Sequence, residues 1–102
     1  MPDTPDLDQL RQQIDEIDVQ IHQLINQRAK CAEQVADTKL KAFTAENGGG
    51  DLSKVLFYRP EREAQVLRKV IARNTGPLEG PAVARIFREI MSACLALEKP
   101  TE

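Results

Sequence analysis

The chain has no tryptophan, one tyrosine and three phenylalanines, so aromatic side chains make up only 4% of its 102 residues. Modules that bind single-stranded nucleic acid stack bases on aromatic platforms, and there is little here from which to build one. An excess of either charge is missing too: 14 Lys and Arg stand against 16 Asp and Glu, a formal net charge of −2. A nucleic-acid footprint needs a concentrated basic face, so any cationic function must be local. The one histidine, His22, and two cysteines, Cys31 and Cys94, are too few for a clustered-ligand metal site. Neither a metal nor a cofactor is expected. His22 falls at the edge of its helix's apolar arc and reads as a half-exposed surface residue. No apolar run approaches the ~20 residues of a membrane span, and the acidic "MPDTPDLDQL" lacks the charged-then-apolar order of a signal peptide. The expectation is a cytoplasmic protein with no nucleic-acid or membrane partner, whose two cysteines are buried free thiols rather than a disulfide.

What the chain does have is helical patterning. With 41% hydrophobic and 29% charged residues it fits a single soluble domain with a thin core. Leu7, Leu10, Ile14, Ile17, Ile21, Leu24, Ile25, Cys31, Ala32 and Val35 recur at spacings of three and four, which marks an amphipathic helix. Thr4 and Pro5 suit a cap and a first turn, and nothing interrupts the pattern before Gly48. The spacing predicts one helix over about 5–42, then a loop over 43–58 with three consecutive glycines, read as mobile cover or plain disorder. A second helix is expected over about 59–74, opened by Pro60 with Glu61 at the positive end of its dipole. A third is expected over about 80–99, between Pro81 and Pro100. Nothing alternates like a strand. The predicted class is all-α: one long helix and two shorter ones. At 1.5 Å per residue the first helix reaches roughly 55 Å, whereas a 100-residue globule has a radius of gyration of ~13 Å. Its apolar stripe runs the whole way, so the overhang is expected to be buried on a second copy, in an intertwined homodimer.

The arcs are not purely apolar. At 100° per residue the stripe of the first helix lies between roughly 220° and 340°, with Arg28 near 280° and Lys39 near 300°, almost three turns apart. Arg11 sits at the rim and ~25 Å along the axis from Arg28, too far to share a site within one straight helix, although the Arg11 of a second copy can. The second helix places Glu63 in the arc of Val66, Leu67, Val70 and Ile71, with Arg62 beside it. The third places Glu98 in line with Cys94, one turn on. Each intrusion has an ordinary explanation: a snorkelling stem, a helix-end charge favouring the dipole, or a structural ion pair at a desolvation cost of several kcal/mol per charge. That all three helices break their own pattern, with cations outnumbering acids, points instead to a closed polar pocket for a small anion.

Three segments, "LRQQIDEIDVQIHQLINQRAKCAEQVADTK", "YRPEREAQVL" and "ARIFREIMSACLALE", resemble the all-α chorismate mutases. The likeness is to the amino-terminal mutase domain of bifunctional chorismate mutase/prephenate dehydratase proteins, and it spans nearly the whole chain. It implies an isomerase that converts chorismate to prephenate on the route to phenylalanine and tyrosine. It also implies an interlocked helical dimer whose two sites are each completed by an arginine of the other subunit. Carried over by position, Arg28 and the partner's Arg11 would hold the two substrate carboxylates. Lys39 would reach a carboxylate and the ether oxygen, with Glu98 facing that oxygen from the opposite side. Glu63 would accept from the ring hydroxyl, and Arg62 would support the carboxylate end.

The sequence departs from the family pattern at three positions. Arg59 stands where several relatives carry an aspartate near the substrate hydroxyl, which leaves only a backbone contact there. Cys94 replaces a serine of some members, and a thiol is a weaker donor. Glu98 replaces a glutamine, and it would serve the forming oxyanion only when protonated, which burial favours. Two other readings compete with catalysis: a helical dimerisation module whose inward charges set register, and a regulatory domain that binds an aromatic metabolite without converting it.

Overall fold

The computed structural model describes residues 4, 6–48, 50 and 57–98. It is all-α, with three helices and no strand among the described residues: α1 (Leu7–Asn47), α2 (Pro60–Arg73) and α3 (Gly80–Glu98).

The ends of α1 differ from the sequence expectation at both termini. Asp6, not Thr4, is the N-cap: its carboxylate accepts from the Gln9 amide at 2.8 Å while the Gln9 side chain accepts from the Asp6 amide at 3.0 Å. This capping box satisfies two of the four donors a helix start leaves unpaired. Thr4 is exposed and Pro5 lies outside the described residues. At the other end the helix continues five residues past 42, to Asn47, whose side chain donates back to the Phe43 carbonyl at 2.9 Å. It stops at Gly48, which takes φ +63° and donates its amide to the Thr44 carbonyl. A left-handed C-cap of this kind suits glycine because no Cβ is present to clash. The rest of the expected loop, 49 and 51–56, lies outside the described residues, as do Lys99 and Pro100 at the expected end of the third helix.

Pro60 opens α2 at a position where its missing N–H costs nothing, and Glu61 and Glu63 in the first turn and Arg73 in the last complement the dipole. The turn into α3 is held by the Asn74 side chain donating to the Leu78 carbonyl at 2.8 Å.

Packing centres on α3, which contacts both α1 and α2. The buried side chains are Ala36 of α1, Phe57 ahead of α2, Val70 of α2, and Ala84 and Cys94 of α3. Every one of these lies at or beyond Ala36, so the core covers only the carboxyl-terminal part of α1. Along its first half Leu7, Leu10, Ile14, Ile17, Ile21 and Leu24 remain 41–62% exposed. The molecule is accordingly a rod of 72 × 25 × 19 Å with a radius of gyration of 18.9 Å, well above the ~13 Å of a compact chain this long.

Candidate active site

The packed half of the molecule encloses a cavity of about 330 Å³. Its floor belongs to α1. Arg28, Ala32, Val35 and Lys39 follow one another at three- and four-residue steps, so one side of the helix presents a cation, an apolar strip and a second cation to the same space. Arg28 and Lys39 are both half-buried. The opposing wall is α3, with Met91, Cys94, Leu95 and Glu98. The first turns of α2 add Arg62, Glu63 and Val66, and the segment leading into it adds Phe57, Tyr58 and Arg59.

Of the residues singled out in the sequence, Arg28, Lys39, Arg59, Arg62, Glu63, Cys94 and Glu98 therefore line one cavity. Arg11 does not. It is exposed on the free half of α1, seventeen residues and ~25 Å from Arg28. Glu63 is half-buried, whereas Arg59 and Arg62 stand at the exposed mouth. The Arg62 guanidinium donates along its own helix to Gln65 at 2.7 Å. Cys94 is buried and free; Cys31 is also free but exposed, contrary to the expectation of two buried thiols. The reason lies in its angle: Cys31 sits at the edge of the α1 stripe, near 220°, so it touches the cavity rim without being covered. His22 is exposed on the free half of α1. Among the described residues no three His, Cys, Asp or Glu side chains are grouped to hold a metal ion.

Two electrostatic features set the chemistry. Burial pushes the Glu98 carboxyl above the usual glutamate value, and the charges of Lys39 and then Arg28 pull it partly back. Desolvation thus outweighs two nearby cations, the pattern expected for an acid kept able to hold a proton. The Lys39 ammonium, for its part, is anchored. It donates to the Phe57 carbonyl at a long 3.4 Å and lies 5.7 Å from the centroid of the Phe57 ring.

Phe57 and Tyr58 belong to the cavity but not to the set chosen from the sequence. They sit in a segment without helical period, so the wheel that exposed Arg28 and Lys39 says nothing about them. A signal was nevertheless present: the chain has four aromatic residues, and two of them are adjacent just before the proline that opens a helix.

A sequence model of the family described as chorismate mutase type II matches residues 10–99. Curated relatives are similar over nearly the whole chain. The bifunctional chorismate mutase/prephenate dehydratase of Pseudomonas aeruginosa is 47% identical over 100 residues, covering 98% of this chain and 26% of that protein. Its counterpart in Stutzerimonas stutzeri is 45% identical over 100 residues, with 98% and 26% covered. The one in Neisseria gonorrhoeae is 44% identical over 90 residues, with 88% and 21% covered. The chain thus spans about a quarter of the length of these relatives.

Proposed function

This chain belongs to the chorismate mutase type II family, and we propose that its three-helix cavity converts chorismate to prephenate by a [3,3] rearrangement in phenylalanine and tyrosine biosynthesis. The observation that carries the reading is the meeting of Arg28 and Lys39 from α1, Arg62 and Glu63 from α2 and Glu98 from α3 around one space of about 330 Å³. A volume of that size is at the lower end of the range for small-molecule sites.

The reaction suits these residue types. Breaking one carbon–oxygen bond while a carbon–carbon bond forms needs no nucleophile, metal or proton transfer to substrate. It needs the extended dicarboxylate folded back on itself and charge stabilised where it develops. Arginine presents its donors in a planar fork that matches a carboxylate, so Arg28 fixes one end of the substrate. The Arg11 of a partner subunit fixes the other. Lys39 reaches a carboxylate and the ether oxygen, and protonated Glu98 donates to that oxygen from the α3 side. Glu63 accepts from the ring hydroxyl, Arg62 supports the carboxylate end, Cys94 offers a weak donor, and Arg59 contributes through its backbone. As negative charge grows on the ether oxygen, donors fixed beforehand favour the transition state over the ground state. Two such donors at ~3 kcal/mol each, with conformer selection added, are of the right order for a million-fold acceleration, about 8 kcal/mol.

The homodimer is part of the same proposal. Six large apolar residues of the stripe on the free half of α1, Leu7, Leu10, Ile14, Ile17, Ile21 and Leu24, are 41–62% exposed, and they continue the stripe that packs on α3 further along. A two-fold partner laid along this stripe would cover it and would carry its own Arg11 toward Arg28. The similarity to biosynthetic enzymes supports a cytoplasmic place of action as part of this proposal. No helix of the described residues is long and apolar enough to cross a membrane.

The direct test is to add the purified protein to chorismate and follow the loss of its ultraviolet absorbance together with the appearance of prephenate. Catalytic loss that disappears in Arg28→Ala supports the reading. No conversion above the uncatalysed rate, by protein shown to be folded, overturns it.

A further inference from the structure

We propose that Phe57 is a positioning residue for Lys39, holding the ammonium group in the cavity through both its carbonyl oxygen and the face of its ring. The inference deepens the proposed mutase reading and rests on it, since it gives Phe57 a role in turnover only if Lys39 acts on substrate.

The argument starts from the nature of a lysine side chain. Its ammonium is a compact, strongly hydrated charge on four flexible carbons, and left alone it samples many rotamers and gravitates to water. A donor of that kind is a poor stabiliser of developing charge unless it is fixed before the reaction. Lys39 is half-buried near the carboxyl-terminal end of α1. Its Nζ lies 3.4 Å from the Phe57 carbonyl oxygen and 5.7 Å from the Phe57 ring centroid. A hydrogen bond at 3.4 Å is weak by itself. The ring supplies a second hold, because an aromatic face attracts a cation within about 6 Å, and more strongly where water is excluded. Both contacts come from one residue, so Lys39 is steered by the carbonyl and the quadrupole of the same anchor. Phe57 is itself fixed: it is among the few buried side chains, at 9% exposure. Phe57 is eighteen positions along the chain from Lys39 and belongs to the segment that feeds Arg59, Arg62 and Glu63 into the site. Its placement thereby ties the α2 side of the cavity to the cation of α1.

The test separates ring electronics from packing. Site-specific replacement of Phe57 by trifluorophenylalanine retains the ring's general shape and burial but removes the negative character of its face. Phe57→Leu removes the ring while keeping an apolar side chain. Two readouts are taken on the full chain. By NMR, the Lys39 ε-methylene protons are expected upfield of the other lysines in the unsubstituted protein, from the ring current, and at ordinary positions in Phe57→Leu. In turnover of chorismate, both variants are expected to lose about 3- to 10-fold in kcat, the range that a partly desolvated cation–π contact corresponds to, with KM changed less than about twofold. A role in packing alone would instead leave the fluorinated protein with wild-type kcat, and that result overturns the proposal. So does an unshifted Lys39 methylene in the unsubstituted protein, or a loss confined to KM. Should the unsubstituted protein not convert chorismate at all, the mutase reading and the role of Phe57 in turnover fail together, while the NMR shift still decides whether Phe57 holds Lys39.

Discussion

In the proposed mechanism Glu98 concentrates the chemistry of the site in one proton. A carboxylate beside Lys39 and Arg28 would ordinarily titrate below its usual value, yet burial wins and raises it. The folded protein therefore holds this proton at pH values where the unfolded chain has released it. By linkage, the contribution of Glu98 to stability is present in full below the unfolded value and is lost as pH rises through the raised folded value. In the proposed mechanism activity follows the same direction, because only a protonated Glu98 could donate to the ether oxygen and a carboxylate would repel the charge forming there. Turnover is expected to fall as pH rises through the Glu98 titration, and Glu98→Gln, which keeps a donor without a titrating proton, is expected to flatten that fall. The measurement is kcat against pH for both proteins. Equal declines in the two would take Glu98 out of the mechanism. The candidate residues Arg28, Lys39, Glu63 and Glu98 were all readable as polar intrusions in apolar arcs, because a helix makes three-dimensional neighbours out of residues three and four apart. Phe57 and Tyr58 were not: they reach the cavity through a non-periodic segment whose path depends on how α2 docks.

At the scale of elements, the long helix shows why type is easier to read than boundary. The repeat of Leu7, Leu10, Ile14, Ile17 and Ile21 states that a helix exists; it says nothing of which of Thr4 and Asp6 caps it. That choice is made by reciprocal hydrogen bonds with Gln9, a side-chain geometry in which an aspartate and a glutamine three positions apart outcompete a threonine followed by proline. The far end is set similarly by Gly48, the first glycine along the chain, which takes φ +63° with no Cβ to clash, rather than by the end of the apolar stripe. The cap carries a measurable share of stability. Asp6→Ala removes the acceptor for the Gln9 amide and the acidic charge at the positive end of the dipole, and is expected to cost about 1 kcal/mol. Denaturant unfolding at fixed protein concentration would read it as a lower midpoint, with Asp6→Asn, another strong cap, recovering most of the loss. An Asp6→Ala midpoint equal to wild type would mean that the first turn frays without consequence.

The whole molecule raises a question that no single chain answers: a rod 72 Å long buries one half of its longest helix and leaves the other half's leucines and isoleucines exposed. Arg11 sits on that free half, and the proposed dimer gives both features one explanation. The sequence held the stripe and the rim position of Arg11 in plain view, but within one subunit Arg11 lies ~25 Å along α1 from the Arg28 it would join, and the cavity is lined without it. The two-fold arrangement makes a quantitative forecast. Arg11→Ala and Arg28→Ala are each expected to lower turnover about 10²-fold or more, since each unpairs a substrate carboxylate. In a mixed dimer, the subunit lacking Arg11 still supplies Arg28, and its partner lacking Arg28 still supplies Arg11, so one of the two sites is intact while the other lacks both arginines. Random reassortment puts half of the chains in such dimers, so an equal mixture, unfolded and refolded together, is expected to regain about a quarter of wild-type activity. Differently tagged subunits would verify that mixed dimers have formed. Mixed dimers as inactive as either parent would mean that Arg11 does not cross between subunits, and the cavity would then have to work with the cations of one chain alone.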